Sequence, residues 1–339
     1  MELTQNHSLK NLNTFGIDVK AKQLYTVSTQ NDLKKILKKL YADEIFVLGG
    51  GSNILLIDDL DSTVLHIDLK GISVINESQD KVIIKAMAGE NWHQFVQHCI
   101  DKDYGGLENL SLIPGNVGTA PMQNIGAYGV ELQDYFVECK AINRQTLEIK
   151  TFSKEECKFG YRDSVFKNEF KDQFIIISVT FQLSKKLHQL HTSYGSIKQE
   201  LAAMEIENPT IKDISQAVIN IRTEKLPNPN EIGNSGSFFK NPIISKTEFE
   251  KLIKKFPEAK YYKISADQYK IPAGWLIDHA GFKGYRVGDA GVHKRQALVL
   301  VNYGNATGKQ ILNLAKKIKS TIKEIYGIDL EMEINVVKN

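Results

Sequence analysis

Cysteine is scarce in this chain: three in 339 residues, Cys99, Cys139 and Cys157, far apart and with no C-x-x-C pair. So sparse and odd a count excludes a disulfide framework and argues for reduced thiols in a reducing compartment. Charge of one sign is nearly absent as well. A net charge of +3 is too small to argue for nucleic acid, although it leaves room for a local basic pocket that takes phosphates. No apolar run approaches the about 20 residues of a membrane span. Phe174-Ile-Ile-Ile-Ser-Val179 has the length of a buried strand. The residues from Met1 to Ser8 lack the apolar core of a secretory signal. Metal-ligand spacing is missing too. His188 and His191 have no acidic or cysteine partner in step, and His93 and His98 do not share a helix face well. These absences point to a cytoplasmic protein with no membrane insertion, no nucleic-acid partner and no metal. A chain 42% hydrophobic and 24% charged is otherwise ordinary for a globular protein.

What is present is glycine in two special places. Leu112-Ile-Pro-Gly-Asn-Val-Gly-Thr-Ala-Pro-Met-Gln-Asn-Ile-Gly-Ala-Tyr-Gly129 holds four glycines and two prolines without becoming a low-complexity linker. Glycine lets main-chain N–H groups approach a ligand closely, and proline fixes turns. Gln123 and Asn124 add amide donors and acceptors. Such a segment suits a pyrophosphate, or it is an ordered surface loop. A second glycine turn, Gly49-Gly-Gly-Ser-Asn53, lies between the apolar runs 45–48 and 54–57. It is not the dinucleotide fingerprint, because Ile54 stands where the last glycine belongs and a strand-like run follows. Nor is there a Walker A loop, since Gly308-Lys309 is followed by Gln310. Two phosphate-type loops outside either setting fit the other architecture by which enzymes bind FAD.

Periodicity divides the rest. Apolar residues at 33, 36, 37 and 40 predict a helix over 31–40 with Asn31 as its cap. Strand-like runs at 22–28, 44–48 and 63–69 make a small α/β unit of residues 1–70. A second block, 71–226, holds strands near 82–88, 136–142, 147–152 and 174–183 and a helix carrying Trp92 and Phe95. The cofactor is expected in a cleft between these blocks. Leu226-Pro-Asn-Pro-Asn230 punctuates the chain. A third block, 227–326, has helices near 247–256 and 309–326, the latter stopped by Gly327, and a strand at 296–302. Leu330-Glu-Met-Glu-Ile-Asn-Val336 alternates strictly and predicts a strand with one buried face.

Together the loops resemble those of the UDP-N-acetylenolpyruvoylglucosamine reductase family. Phe159-Gly-Tyr-Arg-Asp-Ser164, Arg222-Thr-Glu-Lys-Leu-Pro227, Gly236-Ser-Phe-Phe-Lys-Asn-Pro242, Ala273-Gly-Trp-Leu-Ile-Asp278 and Val292-His-Lys-Arg-Gln-Ala-Leu-Val299 extend the resemblance in family order. It covers nearly the whole chain from Asn13-Thr-Phe-Gly16 onward. It implies an α+β fold: a two-part FAD-binding fold of the vanillyl-alcohol oxidase type, plus a third, substrate-binding domain at 227–326. The tail 327–339 is expected to rejoin the 71–226 block. It implies reduction of UDP-N-acetylglucosamine enolpyruvate to UDP-N-acetylmuramate for peptidoglycan precursors, with NADPH as hydride donor. The cofactor residues would be Gly49, Gly50, Gly51, Ser52 and Asn53, then Pro114, Gly115, Gly118, Thr119, Gln123, Asn124, Gly126, Ala127, Tyr128 and Gly129. No histidine or cysteine stands where covalent flavin attachment could be argued, so the FAD is expected to be noncovalent. The protein is expected to be a monomer.

Three residues carry the implied chemistry. Arg162, which by itself could pair with Asp163, would face the substrate carboxylate. Ser237 lies outside any Gly-x-Ser-x-Gly elbow and would deliver a proton. Glu331 and Glu333 share one strand face, so period-two geometry cannot choose between them. The resemblance selects Glu333, the second glutamate of the family's ending. Tyr194 matches a tyrosine loop of the family's long form. Lys225, Asn241 and Gln296 match substrate-pocket positions. An oxygen-using oxidase on the same scaffold and a non-catalytic nucleotide-binding module are the competing readings. The first should lack the Gly-Ser-Phe-Phe-Lys-Asn-Pro and terminal glutamate matches, and the second leaves Arg162, Ser237 and Glu333 unexplained.

Overall fold

One long strand, Phe174–Ser184, buried along most of its length, stands between two cores. The structure is a computed structural model that describes residues 2–40 and 44–338. Contacts gather the chain into two units. The first takes residues 1–7, 21–50 and 61–224, and the second takes 8–20, 51–60 and 225–339.

In the first unit a five-stranded antiparallel sheet runs in the order Ile149–Ser153, Phe136–Asn143, Phe174–Ser184, Lys81–Met87 and Ile72–Glu77. Its central strand is buried on both faces, which is why it reads as a continuous apolar run. Ile176, Val179, Phe181 and Leu183 join one core with Trp92 and Phe95 of the helix Trp92–Asp101. Trp92 and Phe181 meet edge to face at 5.9 Å, and the indole N–H is satisfied by Leu110 O at 2.9 Å. Ile175 and Ile177 face the other way, into a core with Leu33, Ile36 and Leu37. Those three residues lie on the helix Gln30–Lys39. Its cap is Thr29, whose hydroxyl accepts from Asp32 N at 3.1 Å, rather than Asn31. The helix accompanies a four-stranded sheet ordered Glu2–Ser8, Lys20–Val27, Leu60–Ile67 and Ile45–Leu48.

In the second unit Gly233–Ser237, Val299–Asn302, Ala290–Val292 and Arg286–Val287 form an antiparallel sheet. The helix Gly308–Tyr326 buries Ile311, Leu314, Ala315, Ile318 and Ile322 and ends at Gly327 in the left-handed region, φ 72°. Segment 8–20 is sewn in by one side-chain and one main-chain amide: Asn302 Nδ2 donates to Phe15 O at 2.9 Å, and Asn234 N donates to Thr14 O at 2.9 Å.

The tail departs from expectation. Its regular strand is only Asn335–Val337, and it pairs parallel with Ile54–Leu56 rather than with strands of the 71–226 block. Residues 331–334 follow Phe238–Lys240 by single contacts, including the bridge Phe239 to Met332. The predicted alternation survives in burial, with Leu330 and Ile334 inside and Glu331 outside. A full ladder does not form along it.

Candidate active site

Within the first unit, Gly49 and Gly50 at the start of the first glycine loop meet the second loop. The first leaves the strand Ile45–Leu48, which pairs parallel with Leu60–Ile67. The second is braced at its start. Leu112 sits at φ 58°, its N–H donates to His93 Nδ1 at 3.0 Å, and its carbonyl accepts from Arg222 Nε at 3.3 Å. Next, Gly115 O takes Trp92 N at 2.9 Å, Val117 N reaches Glu90 O at 2.8 Å and Gly118 N reaches Ala88 O at 2.9 Å.

A Cβ on Gly50 would stand 2.8 Å from Gly115 Cα and 2.8 Å from Asn116 Oδ1. Glycine at this contact is therefore demanded by the other loop. Gly50→Ala should force the loops apart at a cost of about 1–3 kcal/mol. The expected result is weaker flavin retention and a lower thermal midpoint, read by flavin release on dilution and by scanning calorimetry. An unchanged midpoint with full flavin content would contradict the packing argument.

The outer edge of the loops is open. Gly49 and Gly50 are half-buried, while Pro114, Thr119 and Gly129 are exposed. An inner edge fixed by packing and an outer edge offering main-chain and hydroxyl groups fit a pyrophosphate-bearing cofactor. Asn124 does not share in that. It is fully buried at φ 44°, donates to Glu131 Oε2 at 2.7 Å and Gly160 O at 3.1 Å, and accepts from Gln133 N at 3.1 Å. Its side-chain amide is spent on shaping the loop.

Tyr128 ends the loop half-buried. Burial pushes its phenol above the ordinary value, partly offset by the Arg222 charge. Asn109 Nδ2 binds Tyr128 O at 3.0 Å and His191 O at 2.8 Å. It thereby ties the loop to the segment bearing Tyr194, whose side chain packs on Gly129 and is itself 54% exposed.

Arg162 lies at φ 56°, a conformation that costs a non-glycine residue energy and so marks a site worth testing for function. Its Nη2 donates to Gly126 O at 2.7 Å, and its guanidinium lies 5.4 Å from the centre of the Tyr161 ring. The carboxylate of Asp163 is taken by Asn168 Nδ2 at 2.9 and 3.0 Å.

In the second unit Ser235 and Ser237 separate clearly. Ser235 is buried, with its hydroxyl 3.1 Å from Thr14 Oγ1. Ser237 is half-buried, beyond a register irregularity at Gly236, φ 68°. Such bulges re-aim side chains. Glu333 N donates to Phe238 O at 2.9 Å, so the tail runs alongside the residue that follows Ser237. Glu331 points elsewhere: it is exposed, and its carboxylate is held by Lys240 Nζ at 2.6 Å. Asn241 Oδ1 accepts Ala273 N at 2.8 Å, capping the helix Ala273–His279. Gln296 Oε1 would stand 3.3 Å from a Cβ on Gly274, at the same helix end. Lys225 is exposed. His93, Asn109 and Arg222 were not among the expected site residues. Only Arg222 carried a sequence signal, as the first residue of the Arg222–Pro227 motif.

Burial lowers the pKa of His66, His93 and His293, with Arg222 adding to the effect at His93. The unfolded chain takes up these protons as pH falls past about 6.5, before the folded chain does. Their stabilisation is thus complete above that pH and is lost below it. The thermal midpoint should fall between about pH 7.5 and about pH 5.5, and fall less in His93→Gln. Equal slopes in the two proteins would refute the role of His93.

Among the described residues no helix is long and apolar enough to cross a membrane, and no cluster of His, Cys, Asp and Glu could hold a metal. Residues 21–151 match the profile of an FAD-binding domain, and residues 228–337 match that of the UDP-N-acetylenolpyruvoylglucosamine reductase C-terminal domain. p-Cresol methylhydroxylase shares the fold at TM-score 0.50 and 11% identity, over 96% of this chain and 84% of that one. The fold and the two matched profiles together define an α+β, FAD-binding flavoprotein oxidoreductase.

The UDP-N-acetylenolpyruvoylglucosamine reductase of Flavobacterium johnsoniae is 60% identical over 99% of this chain and all of its own. That of Pseudomonas fluorescens is 49% identical over 97% of each chain. The crystal structure of the Thermus caldophilus enzyme matches at TM-score 0.67 and 25% identity, over 99% of this chain and 98% of that one. The chain belongs to the UDP-N-acetylenolpyruvoylglucosamine reductase family, FAD-dependent enzymes that reduce this enolpyruvyl sugar nucleotide for peptidoglycan precursor synthesis.

Proposed function

We propose that NADPH is the hydride donor and that Arg162, Ser237 and Glu333 serve the second half-reaction. Bound FAD supplies a hydride acceptor and donor at its N5 position, which the protein orients. The first glycine loop and the Pro114–Gly129 segment hold it, with Asn124 shaping the latter. The Arg162 guanidinium, permanently charged and forked, binds the substrate carboxylate and stabilises the enolate that develops there. Ser237 Oγ–H gives its proton to the carbon that carries the ether oxygen, completing the lactyl group. Glu333 acts as a hydrogen-bonding acid on the same enolate. Tyr194, Lys225, Asn241 and Gln296 recognise the rest of the sugar nucleotide. The enzyme works as a cytoplasmic monomer.

The observation that most favours these roles is the divergence of the two tail glutamates. Glu331 is committed to Lys240, while Glu333 runs beside Phe238, next to Ser237. The test is optical. The purified protein should be yellow, and NADPH without oxygen should bleach it faster than NADH does. Oxygen alone should restore the colour slowly. Faster bleaching by NADH would overturn the donor assignment, and rapid turnover with oxygen would favour an oxidase.

A further inference from the structure

Asn53 ends the first glycine loop, yet its contacts reach the C-terminal tail. Its Nδ2 donates to Glu333 O at 3.3 Å. Its own carbonyl accepts the main-chain N–H of Asn335 at 3.1 Å and Asn335 Nδ2 at 3.2 Å. On the other side, Glu333 N donates to Phe238 O at 2.9 Å, and Lys240 N donates to Glu331 O at 2.9 Å. The parallel ladder begins only where Asn335 meets Ile54. The Asn53 amide carries the hold one step further, to the main chain of Glu333 itself.

We infer that Asn53 is a positioning residue that fixes the orientation of Glu333; this rests on reading Glu333 as the substrate-side acid. Asparagine suits the task because one residue supplies a side-chain donor for position 333 and a main-chain acceptor for position 335. Aspartate has the same shape but no N–H, and it would set a carboxylate oxygen against Glu333 O. The hold matters because displacing a catalytic group by about 1 Å costs on the order of 10²-fold in rate. It also makes the Gly-Gly-Gly-Ser-Asn motif answer to two demands, cofactor binding at its glycines and tail alignment at its last residue.

The test compares flavin-loaded unsubstituted protein, Asn53→Ala, Glu333→Gln and the double variant. Each is reduced first, and its oxidation by the enolpyruvyl substrate is then timed without oxygen. Asn53→Ala should slow this step about tenfold or more alone, yet by less than about twofold in the Glu333→Gln background, because residues acting as one unit are not additive. Asn53→Asp should be at least as slow as Asn53→Ala. Equal factors in both backgrounds, or no slowing at all, would overturn the inference; equal factors would leave Asn53 as a cofactor-loop residue only. Hydrogen exchange gives a second, activity-free reading. Amides 333–335 should exchange faster in Asn53→Ala, and unchanged exchange would also overturn it. If Glu333→Gln alone proves as fast as the unsubstituted enzyme, the role of Glu333 fails, and the clamp is judged by exchange.

Discussion

Ser237→Ala is expected to keep its flavin and its reduction by NADPH, and to lose the substrate half-reaction by about 10²–10⁴-fold, the usual worth of a positioned proton donor. The hydroxyl is half-buried beyond the Gly236 irregularity, in a sheet remote in sequence from both glycine loops. Ser235→Ala provides the contrast. Its hydroxyl is buried beside Thr14 and Ile54 O, so the change should cost stability more than rate. Stopped-flow oxidation of each reduced variant by the enolpyruvyl substrate separates them. A wild-type rate in Ser237→Ala would remove the serine from the chemistry.

Glu333→Gln should be similarly damaging to the substrate half-reaction, whereas Glu331→Gln should change it little. Glutamine keeps the size and some hydrogen bonding but can neither carry the charge nor exchange the proton. At Glu331 the change removes a pair with Lys240 whose carboxylate side is exposed, and exposed pairs are worth about 0–1 kcal/mol. The half-reactions, timed separately in both variants, decide between the two glutamates. A crippled Glu331→Gln with an active Glu333→Gln would mean that the tail's register in the active enzyme differs from the one described.

Local periodicity made much of the fold legible. The helix near residues 31–40, the long buried strand at 174 and the helix ended by Gly327 all follow from side-chain spacing and a terminal glycine. The misses share a physical cause. Asn31 reads as the cap because its residue type suits the position, but Thr29 suits it equally, and it is the Thr29 hydroxyl that meets Asp32 N. The tail alternates as a strand should, but a ladder needs a partner in register, and Ile54–Leu56 offers one only from Asn335 onward. Long-range contacts were out of reach. Arg222 meets a carbonyl 110 residues away and Asn53 one 280 away. The sequence also does not show that the Asn124 amide meets Glu131 and Gly160. The order of motifs along the chain identified the family, and side-chain chemistry alone left Glu331 and Glu333 equivalent until Lys240 was placed.

The most direct test is a single turnover without oxygen. Protein reduced by NADPH and freed of nucleotide is mixed with one equivalent of the enolpyruvyl sugar nucleotide, and flavin colour and product mass are followed together. Return of the oxidised flavin colour at the rate at which a product two hydrogens heavier appears is the predicted result. A flavin that stays reduced until oxygen is admitted, with the enolpyruvyl compound recovered unchanged, would contradict it.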